Sequence, residues 1–199
     1  MKENKAAAGR PTRPRDVLSP LLPPGGERLT GLAPVVSERT VVLVLGSFPG
    51  AASLRAGQYY AHPQNHFWRI LQALWPQHPL PGAEHYGQRC DWLLARGLGL
   101  WDVYASCERV GSLDTRIRNA QVNDFASLRA RCPRLAAIAH NGGESFKHSA
   151  AVRQQWAGAY PGAQVQSVRL PSTSPANASW SFERKQTAWA ELMAAHGLL

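Results

Sequence analysis

VVLVLGSFPG, residues 41–50, is an unbroken apolar run of strand length closed by a glycine and followed directly by a Pro-Gly turn. Apolar side chains at consecutive positions fit a strand buried on both faces, because a half-exposed strand would alternate apolar and polar residues. Gly46, Pro49 and Gly50 then permit a tight turn in which backbone comes close to a ligand. Three further runs resemble the first: LGLWDV (98–103), LAAIAH (135–140) and VQSVRL (165–170). Helical patterns lie between and after them: FWRILQALW from Phe67, HYGQRCDWLLARG from His85, DFASLRARC from Asp124 with Asn123 as N-cap, and a last one over roughly Trp180 to His196. Strands alternating with helices predict an α/β fold, with a central parallel sheet covered by helices on both faces. Ligands of such sheets bind beyond the carboxyl ends of the strands. GSFPG, Asp102, His140-Asn141-Gly142-Gly143 and LPSTSPANA all fall at those ends, so four strand ends are expected to converge on one cleft.

The 199 residues are 44% apolar, enough for one substantial core, and nothing in them demands a second domain. Residues 1–28 carry Lys2, Lys5, Arg10, Arg13 and Arg15 among Ala, Gly and Pro, which reads as a flexible basic, Pro-rich tail ahead of a single domain over 29–199. A formal net charge of +9 favours a polyanionic partner, nucleic acid first. Cys90, Cys107 and Cys132 are odd in number and widely spaced, with no Cys or His grouping that would hold a metal. The expectation is therefore reduced thiols and no metal or other cofactor. Without an 18-residue apolar stretch or a signal-like N-terminus, a cytoplasmic, nucleoid-associated protein with no membrane partner is expected.

GSFPG lacks the Gly-Lys-Ser/Thr ending of a phosphate-binding Walker loop, and Ser47 does not sit in the GxSxG turn of a hydrolase nucleophile. Its company is more informative: Tyr59-Tyr60, then His62-Pro63-Gln64-Asn65-His66-Phe67-Trp68. Together with LWDVYASCERVGSLDTRIRNAQVNDF (100–125), Asn141-Gly142 and LPSTSPANASW (170–180), these motifs resemble the uracil-DNA glycosylase superfamily, and most closely its hypoxanthine-DNA (deoxyinosine) glycosylase branch. The resemblance covers about residues 34–195. It implies a four-stranded parallel sheet, a monomer acting on DNA with deaminated bases, a flipped base held in a pocket, and hydrolysis of its glycosidic bond.

It also implies site residues. Related branches carry a polar catalytic residue in the first loop where this chain has Phe48, so catalysis passes to Asn65 of HPQN, with Phe48, Tyr60 and Asn141 holding the base. Tyr60 would stack on it, while Tyr59 or Tyr60 serves as a core aromatic. Asn141 offers donor and acceptor to the lactam that deamination creates, and Tyr60 or His140 would crowd out larger bases. Ser172, Ser174, Pro175 and Asn177 are expected to meet DNA, the serines at phosphates and Pro175 to Asn177 at the gap left by the base. Asp102 and His62 are the alternative general bases. Lys147 and Lys185 fall in no cleft motif, so water rather than an amine is the expected nucleophile. A uracil or mismatch-specific glycosylase is the nearest alternative, and a DNA-binding relative without catalysis is the rival of a different class.

Overall fold

Each of the four apolar runs forms a strand, and all four join one sheet. The computed structural model describes residues 28–159 and 165–199. In chain order its elements are β1 (Arg28–Thr30), β2 (Val42–Gly46), α1 (Ala51–Ala56), α2 (Phe67–Leu74), α3 (Tyr86–Leu94), β3 (Leu98–Asp102), β4 (Tyr104–Glu108), β5 (Arg118–Val122), β6 (Ala137–Asn141), α4 (Gly143–Phe146), α5 (Ser149–Ala159), β7 (Gln166–Leu170) and α6 (Phe182–Ala195). The parallel sheet has the order β3-β2-β6-β7. Every residue of β2 and β3 is buried, so both faces of the sheet centre are covered, as the absence of alternation requires. The register pairs Gly46 with Asp102 and Asn141 with Leu170, which aligns the strand ends at one edge.

A second sheet, antiparallel and ordered β1-β4-β5, is absent from the sequence reading. Its edge strand β5, RNAQV, lacks a signal because it is exposed at every position and so shows no apolar period. Arg28, assigned to the tail from sequence, is already paired with Glu108 in β1. The rest of the basic tail, residues 1–27, lies outside the described residues.

The helix expected from Asp124 is a 3-10 helix over Ala126–Arg131, ended before Pro133, whose ring cannot continue it. Asn123 does not cap it. Asp124 Oδ1 accepts from the backbone N–H groups of Ala126 and Ser127 at 3.1 and 3.3 Å, while Asn123 Nδ2 donates to the carbonyl of Asp102 at 2.9 Å. Cys107 and Cys132 are buried, and no cysteine is in a disulfide among the described residues.

Two helices behind the cleft matter most for the site. The spacing of Phe67, Ile70 and Leu71 puts an apolar face of α2 against α6, where Phe67 meets the edge of Trp189 at 5.6 Å between ring centroids. Ser181 caps α6 by accepting from Arg184 N–H. Trp189 is wholly buried, yet its indole N–H has no hydrogen-bond partner. Trp189→Ala should therefore cost about 3–5 kcal/mol of stability in urea denaturation, the usual range for emptying a large aromatic site. Trp189→Phe, which keeps most of the packing and removes an unsatisfied donor, should stay within about 1.5 kcal/mol of the parent.

Candidate functional site

The aligned strand ends form the floor of a cavity of about 990 Å³, lined by Gly46, Asp102, Asn141 and Leu170 from β2, β3, β6 and β7. Gly46 is required there because a Cβ at that position would lie 2.3 Å from Asp102 Oδ1. Asp102 is 4% exposed, and its Oδ2 is buried without a hydrogen-bond partner. Burial pushes its carboxyl up to about 8, with Asp114 adding to the rise and Arg109 opposing it. Near pH 7 the floor of the cavity is therefore uncharged at this position, and Asp102 is a hydrogen-bond donor as well as an acceptor.

Tyr60 stands over that floor in the left-handed backbone region (φ 56°), a conformation that a bulky residue adopts only under strong tertiary constraint. Its ring stacks on Phe67 at 4.0 Å, leaving one face for a ligand. The hydroxyl is buried beside Asp102 and Asn141 without a well-formed hydrogen bond, and burial raises its pKa far above the phenol range. Tyr59 is the core aromatic of the pair: it is 3% exposed, with its hydroxyl directed at the carbonyls of Leu32 and Ala33.

Three separated motifs are tied by one buried residue that the sequence reading passed over, Thr173. Asn141 Nδ2 donates to Thr173 Oγ1, and Thr173 N–H donates back to Asn141 Oδ1, both at 2.9 Å. Thr173 carbonyl in turn accepts from His66 N–H at 2.9 Å, at the start of α2. Asn65, one residue before His66, closes the turn into α2 through its side-chain carbonyl oxygen, which accepts from Phe67 N–H at 2.9 Å. The Asn65 side chain is thus fixed at one end, with its amide nitrogen left for the cavity that the residue lines. Asn141 retains one amide hydrogen and one lone pair, so the two-point reading of a lactam expected of it has to share atoms already bound to Thr173.

Ser172 and Ser174 use their oxygens to accept from the loop's own amides, Ser174 N–H and Ala176 N–H at 3.2 Å each. Each hydroxyl hydrogen stays available to a phosphate. Asn177 Nδ2 closes the loop onto the Ser172 carbonyl at 3.0 Å, and Pro175 and Ala176 are exposed at its tip. At Gly142, φ is 111°, and a Cβ would come within 3.0 Å of the Ser172 side chain, so only glycine permits this approach.

The first loop is backed by a segment with no role assigned from sequence. Arg109 is 6% exposed, with its guanidinium 5.0 Å from the Phe48 ring centre and Nη2 donating to the Pro49 carbonyl. Ser47 hydroxyl donates to Asp114 Oδ1 at 2.7 Å, and Ala51 N–H donates to Ser112 Oγ at 2.9 Å. Phe48 is 6% exposed and lines the cavity from the core side. His62 is an exposed residue of the cavity wall whose Nδ1 accepts from Gln64 N–H at 3.2 Å, fixing the turn. His140 does not reach the cavity: it is fully buried, its Nδ1 lies 2.8 Å from Ser145 Oγ, and burial lowers its pKa to about 4. Crowding of larger bases therefore does not come from His140. Arg109, Asp114 and Thr173 all stand inside the quoted motifs, but spacing alone did not mark them. Among the described residues no group of three or more His, Cys, Asp or Glu side chains is arranged to hold a metal ion, and no helix is long and apolar enough to cross a membrane.

Comparison with known proteins matches the model of the Uracil DNA glycosylase superfamily to residues 33–193. A protein of Methanosarcina barkeri named hypoxanthine DNA glycosylase is 35% identical over 161 residues, spanning 81% of this chain and 95% of the relative. One of the same name from Methanosarcina acetivorans is 33% identical over 155 residues, spanning 78% and 92%. A solution NMR structure from Methanosarcina acetivorans, described as a candidate uracil DNA glycosylase, superposes with a TM-score of 0.69 at 30% identity, covering 85% of this chain and 99% of the other.

The buried carboxyl at the cavity floor sets a stability test. Because the folded pKa of Asp102 lies above its ordinary value, the native state holds a proton that the unfolded chain has lost between about pH 4 and 8, so this group lowers stability as pH rises through that window. Asp102→Asn should raise Tm at pH 8 more than at pH 4. An equal shift at both pH values would show that the carboxyl is not held neutral.

Proposed function

The chain belongs to the uracil DNA glycosylase superfamily, and on that premise we propose that it is a monofunctional DNA glycosylase that removes deaminated bases, hypoxanthine first, acting as a monomer. The observation that carries this reading is the cavity floor itself. Two strand ends supply Asp102 and Asn141 and the segment ahead of α2 supplies Tyr60 and Asn65, all neutral hydrogen-bonding groups near pH 7, around a space large enough for an extruded nucleotide. The two relatives named hypoxanthine DNA glycosylase support the choice of base. The solved neighbour described as a candidate uracil DNA glycosylase keeps uracil as the second substrate to test.

Glycosidic cleavage builds positive charge on the sugar and negative charge on the departing base, so the protein has to position water and donate hydrogen bonds to the leaving group. Asn65 is assigned the catalytic position. Its carbonyl is occupied by Phe67 N–H, so its contribution comes mainly from the amide hydrogens, placed by α2 at the cavity wall. A neutral amide removes no proton, and the rate then rests on leaving-group stabilisation. A protonated Asp102 is a poor acceptor for a proton from water below about pH 8, which argues against it as general base. Its O–H and C=O instead complement the C=O and N–H of a lactam, beside the remaining amide hydrogen of Asn141. His62 stays at the exposed rim. Tyr60 offers its free face for stacking, and Phe48 closes the apolar side. Ser172 and Ser174 are assigned to phosphates and Pro175 to Asn177 to the duplex, which positions the strand without reading sequence.

Excision from labelled duplexes holding inosine, uracil, xanthine or only normal bases, read by alkaline cleavage of abasic sites, tests the proposal. Inosine should be released fastest, and binding without release from any substrate would favour a DNA-binding relative. Asn65→Ala should lower the single-turnover rate by about 100-fold or more, the scale of losing one preorganised donor, while lesion binding persists. Wild-type activity should fall as pH rises through about 8, and Asp102→Asn should remain active and lose that alkaline limb. An inactive Asp102→Asn beside a near wild-type Asn65→Ala would move the catalytic role to Asp102.

A further inference from the structure

The amino ends of the parallel strands carry a second pocket, of about 560 Å³, at the end of the sheet away from the cavity. Val41 lines this pocket and Gly46 lines the cavity, so the span of β2, roughly 17 Å, separates the two. Backbone pairing brings three arginines there. Val41 N–H donates to the Gly97 carbonyl at 2.7 Å, and Ala136 N–H donates to the Val41 carbonyl at 2.9 Å. Arg39, Arg96 and Arg134 stand one or two residues before these paired positions, and all three line the pocket. Trp75 and His78 line it from the end of α2 and the turn beyond, and Leu198 from the segment after α6. No acidic side chain is among the lining residues; Glu38, next to Arg39, is exposed and forms no part of the wall.

The frame around these cations is fixed. Trp75 indole N–H donates to the Leu198 carbonyl at 3.1 Å, and Trp92 indole N–H donates to the His78 carbonyl at 3.2 Å. The Arg96 guanidinium lies 3.5 Å from the centre of the Trp92 ring. Its Nη1 donates at 2.6 Å to the Trp92 carbonyl, in the last turn of α3, where carbonyls have no partner within the helix. Arg96 Nε is buried without a hydrogen-bond partner, and burial alone lowers the pKa of the group, with no carboxylate offsetting the lost water. Arg39 and Arg134 are exposed and enter no ion pair among the described residues. Three guanidinium groups around one concavity repel one another, and an anion seated among them removes that cost.

We propose that this pocket is a second binding site, separate from the cavity, for a phosphate monoester of mononucleotide size. A monoester carries about −1.5 to −2 charges near pH 7 and presents three strong acceptor oxygens at one point, which suits forked guanidinium donors. The volume falls in the range of small-ligand sites, and Val41, Leu198 and Trp75 give an apolar wall for the nucleoside part. Both a free nucleotide and the 5′ end of a DNA strand carry this group. A strand held at the cavity, at the opposite end of β2, leaves the pocket open to either source. The site stands whether or not the cavity is a glycosylase.

The test uses the full chain with nitrogen-labelled tryptophan, read by NMR at constant physiological ionic strength. The indole N–H signals of Trp75 and Trp92 report on the pocket, and that of Trp180, which lines the cavity, reports on the cavity. Deoxyadenosine 5′-monophosphate should shift the Trp75 and Trp92 signals saturably and leave Trp180 in place, and deoxyadenosine should shift none of them. A short strand with a 5′-phosphate that acts on Trp75 and Trp92 at lower concentration than the mononucleotide, where the same strand with a 5′-hydroxyl does not, identifies the strand end as the source; the reverse order identifies the free nucleotide. Arg39→Gln combined with Arg134→Gln, both at exposed positions, should weaken the mononucleotide about tenfold or more through loss of charge-assisted bonds. Affinity of the same variant for a duplex with 5′-hydroxyl ends should stay within about twofold, since screening confines exposed charges to about 8 Å. A shift of Trp180 alone, an equal response to deoxyadenosine, or an unchanged mononucleotide affinity in the double variant overturns the site. An equal loss of duplex affinity would make these arginines part of the DNA surface and overturns its separateness.

Discussion

The pair of hydrogen bonds between Asn141 and Thr173 is the constraint on which the site depends. Thr173 is fully buried, and with its carbonyl bound by His66 N–H it fastens the end of β6, the 171–177 loop and the start of α2 into one unit. Each such bond contributes only about 0.5–1.5 kcal/mol net, but leaving any of these buried groups unpaired would cost more. The clamp therefore fixes geometry more than it adds stability. Asn65 and Phe67 flank His66 directly, so the position of the catalytic candidate and of the ring that supports Tyr60 derives from a bond made by the loop that follows β7. A scaffold that holds its polar groups before substrate arrives avoids reorganisation during the reaction.

Electrostatics at the two sides of the cavity differ in a way that suits a departing anion. On the floor, Asp102 is kept neutral by burial, so no formal negative charge opposes electron density moving onto a base. Behind Phe48, the Arg109 guanidinium is buried with two nitrogens lacking partners, an expensive arrangement unless the cation serves the site. It anchors the Pro49 carbonyl and thereby the turn of the first loop, while its charge opposes the rise of Asp102. The absence of a polar side chain at Phe48 is thus accompanied by a cation one layer deeper. A neutral floor and a nearby buried cation favour an anionic leaving group by the same logic that makes a preorganised oxyanion site effective.

Much of this was legible in the sequence because apolar runs without alternation can bury both strand faces, and β2, β3 and β6 do so at nearly every position. The strand-end rule then located Asp102, Asn141 and the PSTSP loop correctly at one cavity. What stayed hidden has physical reasons. The antiparallel sheet has an edge strand, β5, exposed at every position and paired through backbone bonds, to which side-chain pattern is blind. Asn123 looks like a helix cap from composition, yet it is recruited by the Asp102 carbonyl from a distant strand. His140 looks like a pocket residue by its neighbours, but the strand's pleat turns it into the core. Thr173 and Arg109 act through partners far along the chain, and no local spacing announces a tertiary hydrogen bond.

The central claim is that this cavity hydrolyses the bond between deoxyribose and a deaminated purine with water as the nucleophile. Mass spectrometry of an inosine duplex incubated with excess full-length chain measures that directly, since it identifies both the released base and the strand left behind. The account predicts free hypoxanthine and an unbroken strand carrying one abasic site. Intact inosine after long incubation, or a protein–DNA adduct trapped by borohydride, would contradict it.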